Sequence, residues 1–464
     1  MLFNTPQFVF TLIAFIICWY LLPKQCKKPV LLVFSYFYAY NLGGFWTAAA
    51  LLSVTLLTYI WAILVEKRKP GKFFVFLFVF LLVLLLVYEK YLPLFPFIDN
   101  TSFSVVSMIG VSYYVFSAIS YIVDVSRGND TADRSLTDTA IWLAFFPKLL
   151  AGPIERHRHF KTQLDNLVIS KFDIEKIKLG LLICACGYFY KIVIADRISP
   201  FVDTVYSDVI IHKGFIVTLT MFLYLFQLYF DFAGYSMIAY GISYAIGIEI
   251  TKNFNHPLFA DSVSDYWKRW HISLSNWLRD YVYIPLGGNR KGKIRQYLNL
   301  MITFLISGMW HGVGLNFLIW GAIHGLYQII ERETFKVIRL PKFIRQLITL
   351  LFVSGAFIFF RADTFPIAKS FITRLFQWNI NEITDGTLFK LGIDKADWIV
   401  IIAGITIAFV IELLQYKGIN LYKKVQKQNI IIRWGIYYFI IVVLIIFGKY
   451  GAAYDANNFV YFKF

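Results

Sequence analysis

The chain of 464 residues carries much less charge than a soluble protein of this size. Charged residues make up 16% of it and hydrophobic residues 58%, whereas soluble domains contain about 25% charged residues. This composition excludes a soluble enzyme, a disordered chain and a disulfide scaffold, and it leaves a polytopic membrane protein. The net charge of +17 then indicates cytoplasmic loops that orient the chain, rather than a surface that binds nucleic acid.

The first 23 residues contain no charged side chain, and Lys24, Lys27 and Lys28 follow them. A cleavable signal peptide has its positive charge before the apolar core and a small-residue cleavage site after it. Here the charge comes after the core and no such site is present. We therefore expect a retained first helix, with the N-terminus on the outer side of the membrane.

Apolar runs predict the crossings of the first half, since a span needs ~20 apolar residues. Residues 29–65 carry no charge and are interrupted at positions 41–44, which predicts two crossings joined by a tight outer turn. Residues 136–152 are short and proline-bounded, which favours a re-entrant element over a crossing. Further crossings are expected at 73–88, 100–123, 177–195 and 214–248, the last with an added re-entrant or interfacial piece.

The second half contains the most polar stretch, residues 251–296, with eight Lys and Arg. We expect it to form interfacial amphipathic helices on the cytoplasmic side. Residues 297–330 predict two antiparallel spans, and 346–360, 398–411 and 434–448 predict three more. The sequence thus predicts an all-α polytopic membrane protein with about 11–12 transmembrane helices. We expect one membrane domain, 1–464, with a core at 100–332, an outer tail at 452–464 and both termini extracytoplasmic.

An ionisable side chain inside a membrane costs free energy, so each one is a candidate for a functional or structural role. His311 lies near the middle of the uncharged run 297–330, between Trp310 and Gly312. A first helix over 297–310 reaches only ~21 Å, which predicts that His311 lies at the floor of a funnel near the turn. One interpretation is a packed histidine bonded to a carbonyl, and the other is a functional histidine.

A second polar cluster lies in residues 265–280. Drawn as one helix, this run has an aromatic and aliphatic face made of Trp267, Trp270, Leu274, Trp277 and Leu278. A cationic interfacial helix explains most of the pattern. It does not explain His271 and Asn276 beside the aromatic face, with Asp280 one turn after Asn276.

A glycine-rich basic turn follows at 287–292. Its backbone N–H groups, with Asn289, Arg290, Lys291 and the nearby Arg279, could bind the phosphates of a donor substrate. A solvated basic turn is the alternative interpretation.

Other polar residues rank lower as site candidates. His157 and His159 lie in a basic loop and are interpreted as interfacial, so no metal site is predicted. Asp231 is an intramembrane carboxylate, and it is a candidate for holding the residues around an internal cavity in place. His324 follows His311 by 13 residues, about 220° around a helix, so contact between them requires His311 to lie in the turn.

Two histidines near mid-membrane without a metal cluster suggest general-base work on acyl or proton transfer. An imidazole with an unperturbed pKa of ~6.5 accepts a proton at neutral pH. A hydroxyl that attacks a thioester needs such a base, together with a polar cradle for the developing oxyanion.

Most of the candidate residues lie in two runs, SDYWKRWHISLSNWLRDYVYIPLGGNRKG and FLISGMWHGVGLNFLIWGAIHGL. These runs resemble the membrane-bound O-acyltransferase family, and its bacterial branch of alginate and peptidoglycan O-acetyltransferase membrane subunits in particular. The runs YFDFAGYS and FFPKLLAGPIERHRHF and the opening MLFNTPQF are similar to that branch as well. The resemblance extends essentially end to end, and it implies the funnel-shaped fold of the family.

The resemblance also implies roles for individual residues. His311 matches the invariant histidine of the family and is the expected general base. His271 matches a second family position, which is Asn in many eukaryotic relatives. Tyr461 matches the tyrosine of a C-terminal aromatic motif that is proposed to accept the acyl group transiently, although here Val460 and Lys463 replace the usual Ile and Gln. Read alone, this tail is an aromatic anchor for the interface.

The function that the resemblance implies is O-acetylation across the bacterial cytoplasmic (inner) membrane. The donor is cytosolic acetyl-CoA, with no bound cofactor, and an extracytoplasmic SGNH-type acyltransferase partner delivers the acetyl group. Alginate, other exopolysaccharide, O-antigen and peptidoglycan all fit as acceptors. Two alternatives stay open: D-alanyl transfer from a carrier protein to teichoic acid, and transport of a sugar or lipid.

Overall fold

The computed structural model describes residues 1–68, 71–91, 110–167, 173–379 and 381–450, and in these segments the chain is helical and contains no strand. The prediction of an all-α protein is confirmed. The α-helices, numbered along the chain, are α1 (Pro6–Leu21), α2 (Lys27–Arg68), α3 (Lys72–Tyr91), α4 (Val111–Arg127), α5 (Leu136–Ala144), α6 (Phe146–Leu149), α7 (His157–Leu167), α8 (Ile174–Tyr188), α9 (Asp196–Ser207), α10 (Gly214–Ala245), α11 (Val263–Arg269), α12 (Ile272–Leu278), α13 (Gly292–His311), α14 (Leu315–Val337), α15 (Lys342–Arg361), α16 (Phe365–Leu375), α17 (Asn381–Thr384), α18 (Lys395–Tyr416), α19 (Leu421–Gln426) and α20 (Ile430–Phe447).

Seven stretches of the described residues are long and apolar enough to cross a membrane. They are Lys24–Arg68, Lys72–Tyr91, Ile174–Ser207, Gly214–Ala245, Lys342–Arg361, Lys395–Tyr416 and Ile430–Phe447. The prediction of a multi-pass membrane protein is confirmed. The spans expected at 73–88, 346–360, 398–411 and 434–448 coincide with α3, α15, α18 and α20. Of the span expected at 100–123, positions 100–109 lie outside the described residues.

The break predicted at positions 41–44 is present inside α2. Gly43 and Gly44 leave the helical region, and Gly44 has a φ of 74°, which a residue with a side chain rarely adopts. The long stretch therefore consists of two helical arms rather than one rod. The element expected at 136–152 consists of α5 and α6, which are interrupted at Phe145 and are too short to cross.

The chain divides into two compact units by its internal contacts. The first contains Met1–Cys184 and Tyr235–Lys252, and the second contains Ala185–Gly234 and Asn253–Phe464. In the first unit, Phe146 packs edge-on against Phe15, Phe34 and Tyr38, with ring centroids 5.3, 4.7 and 5.9 Å away. The second unit holds the candidate site residues described below.

The prediction for residues 214–248 needs a correction. Instead of a crossing followed by a separate piece, α10 is one continuous helix of 32 residues. Asp231 does not interrupt it, because Lys191 supplies a counter-charge 2.7 Å away. The same ammonium lies 2.7 Å from Asp196, so three buried ionic groups form one cluster inside the second unit.

The single helix drawn through residues 265–280 is also wrong. The structure has two short helices, α11 and α12, separated at Trp270 and His271. Trp270 is only 2% exposed, so the aromatic face packs inside the second unit rather than at the membrane interface. The helix breaks because His271 adopts a left-handed backbone conformation, with a φ of 43°.

Candidate active site

The hairpin of α13 and α14 positions His311. The first helix begins at Gly292 rather than near 297, so the short-helix argument for a funnel floor does not hold. His311 is nevertheless the last residue of α13, directly before the turn at 312–314, as predicted. Gly308 allows the two helices to approach closely, since a Cβ there would lie 2.2 Å from the carbonyl oxygen of Phe317.

This close approach gives a test of the hairpin. Substitution of Gly308 by alanine is expected to lower the free energy of unfolding by about 1–3 kcal/mol, because the added methyl overpacks against backbone. A Cβ at Gly355, in α15, would meet no atom within 4 Å. Gly355→Ala is therefore the matched control and is expected to be neutral or stabilising. Denaturant unfolding in detergent micelles checks both, and equal effects would contradict the packing argument.

His311 lies in an aromatic pocket and is 4% exposed. Its ring centroid is 4.7 Å from that of Trp310, 5.0 Å from Trp320 and 5.2 Å from Phe360. Three ring edges around one imidazole fix its orientation and exclude water from it. Such a pocket suits a base that receives a proton from a bound hydroxyl rather than from solvent.

His271 lies next to the same aromatic pocket and is fully buried. Its ring contacts Phe232 at 4.7 Å and Trp310 at 6.0 Å between centroids. The two predicted histidines therefore both contact the indole of Trp310. His271 lies outside the seven apolar stretches, and burial lowers its pKa to about 3, so the imidazole is neutral at physiological pH.

Asn253 holds the strained turn at His271 and was not among the predicted site residues. Its side-chain oxygen accepts hydrogen bonds from the backbone N–H and the hydroxyl of Ser273, at 3.3 and 2.7 Å. Its carbonyl accepts from the N–H of Ile272 at 2.9 Å. The signal available in the sequence was two asparagines, Asn253 and Asn255, followed by His256 and a proline, in a region assigned to amphipathic helices.

His324 is connected to the cluster through tryptophans. Its Nδ1 accepts a hydrogen bond from Nε1 of Trp267 at 3.3 Å, which places the ring proton on Nε2. Trp320 contacts both His324, at 4.9 Å, and His311, at 5.0 Å. The structure therefore brings His311, His271, His324 and Trp310 together in one group, the histidine cluster.

The remaining predicted site residues lie on α12, between α12 and α13, and in the C-terminal tail. Asn276 is half-buried on α12, and within the described residues its side chain makes no hydrogen bond. Asp280 pairs with Arg279 at 2.8 Å. The turn with Asn289, Arg290 and Lys291 is exposed, and the two cations form no ion pair with any described carboxylate. Tyr461 lies outside the described residues.

His157, interpreted above as interfacial, is buried in the first unit. Its Nδ1 lies 3.0 Å from Asp130 and its Nε2 3.5 Å from Asp133. Burial alone would lower the pKa of His157, but the two neighbouring aspartates outweigh burial and raise it. His159 pairs with Glu155. Both histidines thus have carboxylate partners.

The raised pKa of His157 predicts a pH dependence of stability. A group whose pKa is higher in the folded state stabilises fully below its unfolded pKa, ~6.5, and loses that contribution as the pH rises through the folded value. The melting temperature of the wild type should therefore exceed that of His157→Gln most at acidic pH. Thermal unfolding of both between pH 5.5 and 9 measures the difference, and a constant difference would contradict the assignment.

Most of the chain is similar to known membrane proteins. The model of the membrane-bound O-acyltransferase family matches residues 32–362, which include His271 and His311. A probable alginate O-acetylase from Pseudomonas putida is 34% identical over 434 residues, which cover 88% of this chain and 87% of that protein. One from Azotobacter vinelandii is 39% identical over 293 residues, covering 61% of this chain and 57% of the relative.

Relatives named for other activities also match. The peptidoglycan O-acetyltransferase of Helicobacter pylori is 32% identical over 417 residues, covering 79% of this chain and 78% of that protein. The teichoic acid D-alanyltransferase of Bacillus subtilis is more distant, at 27% identity over 361 residues, covering 72% of this chain and 89% of that protein. The match to the family model and the 34% identity along most of both chains lead to one conclusion: the chain belongs to the membrane-bound O-acyltransferase family.

Proposed function

We propose that the chain is a membrane O-acetyltransferase of the bacterial cytoplasmic membrane. It takes the acetyl group of cytosolic acetyl-CoA and supplies it for O-acetylation of a cell-envelope or secreted polysaccharide, alginate-like or peptidoglycan. The observation that carries the proposal is the buried pair His311 and His271 on either side of one contact residue, Trp310. Support for the acetyl group comes from the relatives named alginate O-acetylase and peptidoglycan O-acetyltransferase.

The histidines of this cluster account for each proton transfer in the reaction. His311 removes the proton of the attacking hydroxyl as the C–O bond forms. The C–S bond of the thioester then breaks, and the proton passes from the imidazolium to the departing thiolate, which leaves as the thiol of CoA. His271, neutral because of its low pKa, donates an N–H to the thioester carbonyl and stabilises the oxyanion.

The donor enters from the cytoplasmic side in this proposal. The exposed cations Arg290 and Lys291 meet its phosphates. Gly287, Gly288 and Gly292 have positive φ angles, which shape the turn. The N–H groups of Gly287 and Gly288 donate to the carbonyls of Ile284 and Tyr283, both at 3.0 Å, so the two cations supply the contact with the phosphates. Asn299 stabilises this turn by donating to the carbonyl of Gly288 at 2.9 Å.

The first acceptor of the acetyl group in this proposal is a tyrosine of the C-terminal tail. Tyr461 accepts the acetyl group transiently and His311 assists, since a phenol with a pKa of ~10 needs a base to attack at neutral pH. An extracytoplasmic SGNH-type partner transfers the group onward. The N- and C-termini are extracytoplasmic.

The test is intact mass and peptide mapping of the purified protein after incubation with acetyl-CoA. We expect an added acetyl group on Tyr461 in the wild type and none in His311→Ala. Acetylation of polysaccharide that continues unchanged in Tyr461→Phe would exclude the relay and leave direct transfer.

The D-alanyl alternative rests on the more distant relative. Incubation with D-alanyl carrier protein in place of acetyl-CoA distinguishes it, because only the true donor yields an adduct. Transport of a sugar or lipid is tested separately, by following unmodified substrate across proteoliposomes that contain the protein.

A further inference from the structure

The second unit contains a cavity that none of the residues of the histidine cluster lines. Its volume is about 180 Å³. The lining residues come from α10, α18 and the segment before α11: Phe226, Phe230, Leu258, Ile405, Thr406, Phe409 and Glu412. Apolar cavities of ~150 Å³ bind groups the size of benzene, so this crevice accommodates a short segment of a hydrocarbon chain.

The mouth of the crevice faces lipid. Thr406 and Phe409 are exposed on α18, and the exposed surface of this helix is otherwise made of side chains such as Ile402 and Val410. Because α18 is long and apolar enough to cross the membrane, these side chains meet hydrocarbon rather than water. A chain that enters the crevice therefore comes from the bilayer.

Glu412 lines this crevice with an almost fully buried carboxylate, 4% exposed. Its Oε1 accepts hydrogen bonds from Tyr190 at 2.9 Å and from Tyr229 at 2.5 Å. Among the described residues, the basic group within 4 Å is His256, whose Nδ1 lies 3.9 Å from Oε2, beyond hydrogen-bonding distance. A buried carboxylate is costly unless it is paired, so Oε2 has capacity for a cationic donor.

Tyr416 lies one helical turn after Glu412, and two cationic side chains contact it. The ammonium of Lys342 lies 2.8 Å from the phenol oxygen, and the guanidinium of Arg269 lies 5.6 Å from the ring centroid. Lys342 is exposed and has no described carboxylate within 4 Å. Tyr416 is the last residue of α18, so Glu412 lies only ~6 Å from the helix end, at the depth of lipid headgroups.

We propose that this crevice binds one molecule of a zwitterionic aminophospholipid. The acyl chain occupies the apolar crevice, the primary ammonium donates to Oε2 of Glu412, and the phosphate contacts Lys342. An anionic phospholipid lacks the cation that Glu412 requires, and a quaternary ammonium has no N–H to donate. The inference goes beyond the proposed acetyl transfer and does not depend on it.

The lipid crevice is close to the histidine cluster but shares no lining residue with it. Tyr229, which bonds Glu412, contacts Trp270 at 5.9 Å between ring centroids, and Trp270 directly precedes His271. Glu412 is thus connected through Tyr229 to the residue before His271. The binding test below uses no activity readout, so its failure and the failure of the proposed reaction are distinguishable.

The experiment uses the full chain in lipid nanodiscs. Phosphatidylethanolamine and phosphatidylglycerol, each with a photoactivatable diazirine in the acyl chain, are compared at equal concentration. We expect the phosphatidylethanolamine probe to label peptides of α10 and α18 around Phe230 and Phe409, about tenfold more than the phosphatidylglycerol probe, as one charged hydrogen bond implies. Equal labelling, or a preference for phosphatidylglycerol, would overturn the proposal.

Variants locate the site. Thr406→Trp fills the mouth and should abolish labelling, whereas Ile402→Trp, one turn earlier on the same lipid-facing surface, should leave it unchanged. Glu412→Gln should remove the preference between the two probes. If that variant does not fold, Lys342→Met, at an exposed position, should weaken labelling by both probes. Labelling that is equal in the two tryptophan variants would show adventitious lipid contact only and would overturn the site.

Discussion

Replacement of His311 by alanine is expected to lower the rate of acetyl transfer by about 10²–10⁴-fold, the usual contribution of a general base. The reason is its placement at the end of α13, where three aromatic rings hold the imidazole in a water-poor pocket. Without the base, an attacking hydroxyl keeps its proton and is a poor nucleophile at neutral pH. Transfer of radiolabelled acetyl from acetyl-CoA in isolated membranes, normalised to protein amount, measures the effect.

His159→Ala is the control for this experiment. The side chain of His159 is 52% exposed and pairs with Glu155 in the first unit, whereas His311, His271 and His324 belong to the second. Its removal should leave acetyl transfer within about twofold of wild type, as for most surface substitutions. If His311→Ala were equally active, the assignment of the base would be wrong, whatever the donor is.

A comparison of His311→Ala with His271→Ala separates two roles. Loss of the base and loss of an oxyanion donor both lower turnover. Only a group that titrates near neutral pH, however, gives the rate an acidic limb. Because burial keeps His271 neutral down to a pH of about 3, the acidic limb of the wild-type profile should persist in His271→Ala.

Local patterns in the sequence were sufficient to place His311. An uncharged run with a central Trp-His-Gly predicts a hairpin whose turn is near the histidine, and α13 does end at His311. The start of α13 was not predictable in the same way, because Lys293 and Arg295 belong to the polar stretch 251–296, for which separate interfacial helices were expected. They extend the first turns of the helix instead, since cations there remain exposed.

The error at residues 265–280 has a long-range cause. The spacing of Trp267, Trp270 and Trp277 fits one helical face, and no local breaker lies between them. The break at His271 depends on hydrogen bonds to Asn253, which lies 20 residues from Ser273 along the chain. Histidine tolerates the left-handed conformation better than most residues, but the sequence alone does not indicate that a distant partner stabilises it.

The continuity of α10 has a similar explanation. An aspartate in an apolar run signals either a break or a buried partner, and the sequence does not identify the partner. Lys191 lies inside the crossing expected at 177–195, 40 positions before Asp231. It belongs to a π-helical segment, Phe189–Ala195, and such segments are irregular and weakly signalled by periodicity.

Stability should depend strongly on this ion cluster. The Lys191→Met variant is expected to lose about 3–5 kcal/mol of unfolding free energy, because it leaves the buried Asp196 and Asp231 without their shared cation. Lys178→Met, which removes an exposed lysine paired with Glu175 on α8, should cost only about 0–1 kcal/mol. Chemical denaturation in detergent micelles, followed by tryptophan fluorescence, compares the two.

The size of the loss alone does not separate charge from packing, so a second variant is needed. Substitution of both aspartates by asparagine in the Lys191→Met background removes the uncompensated charges while it nearly preserves volume. If electrostatics dominate, this triple variant should regain much of the lost stability, since neutral replacements of a buried ionic cluster are often well tolerated. If it is as unstable as Lys191→Met, the lysine acts through the packing of its aliphatic chain and the electrostatic account of Asp231 in α10 fails.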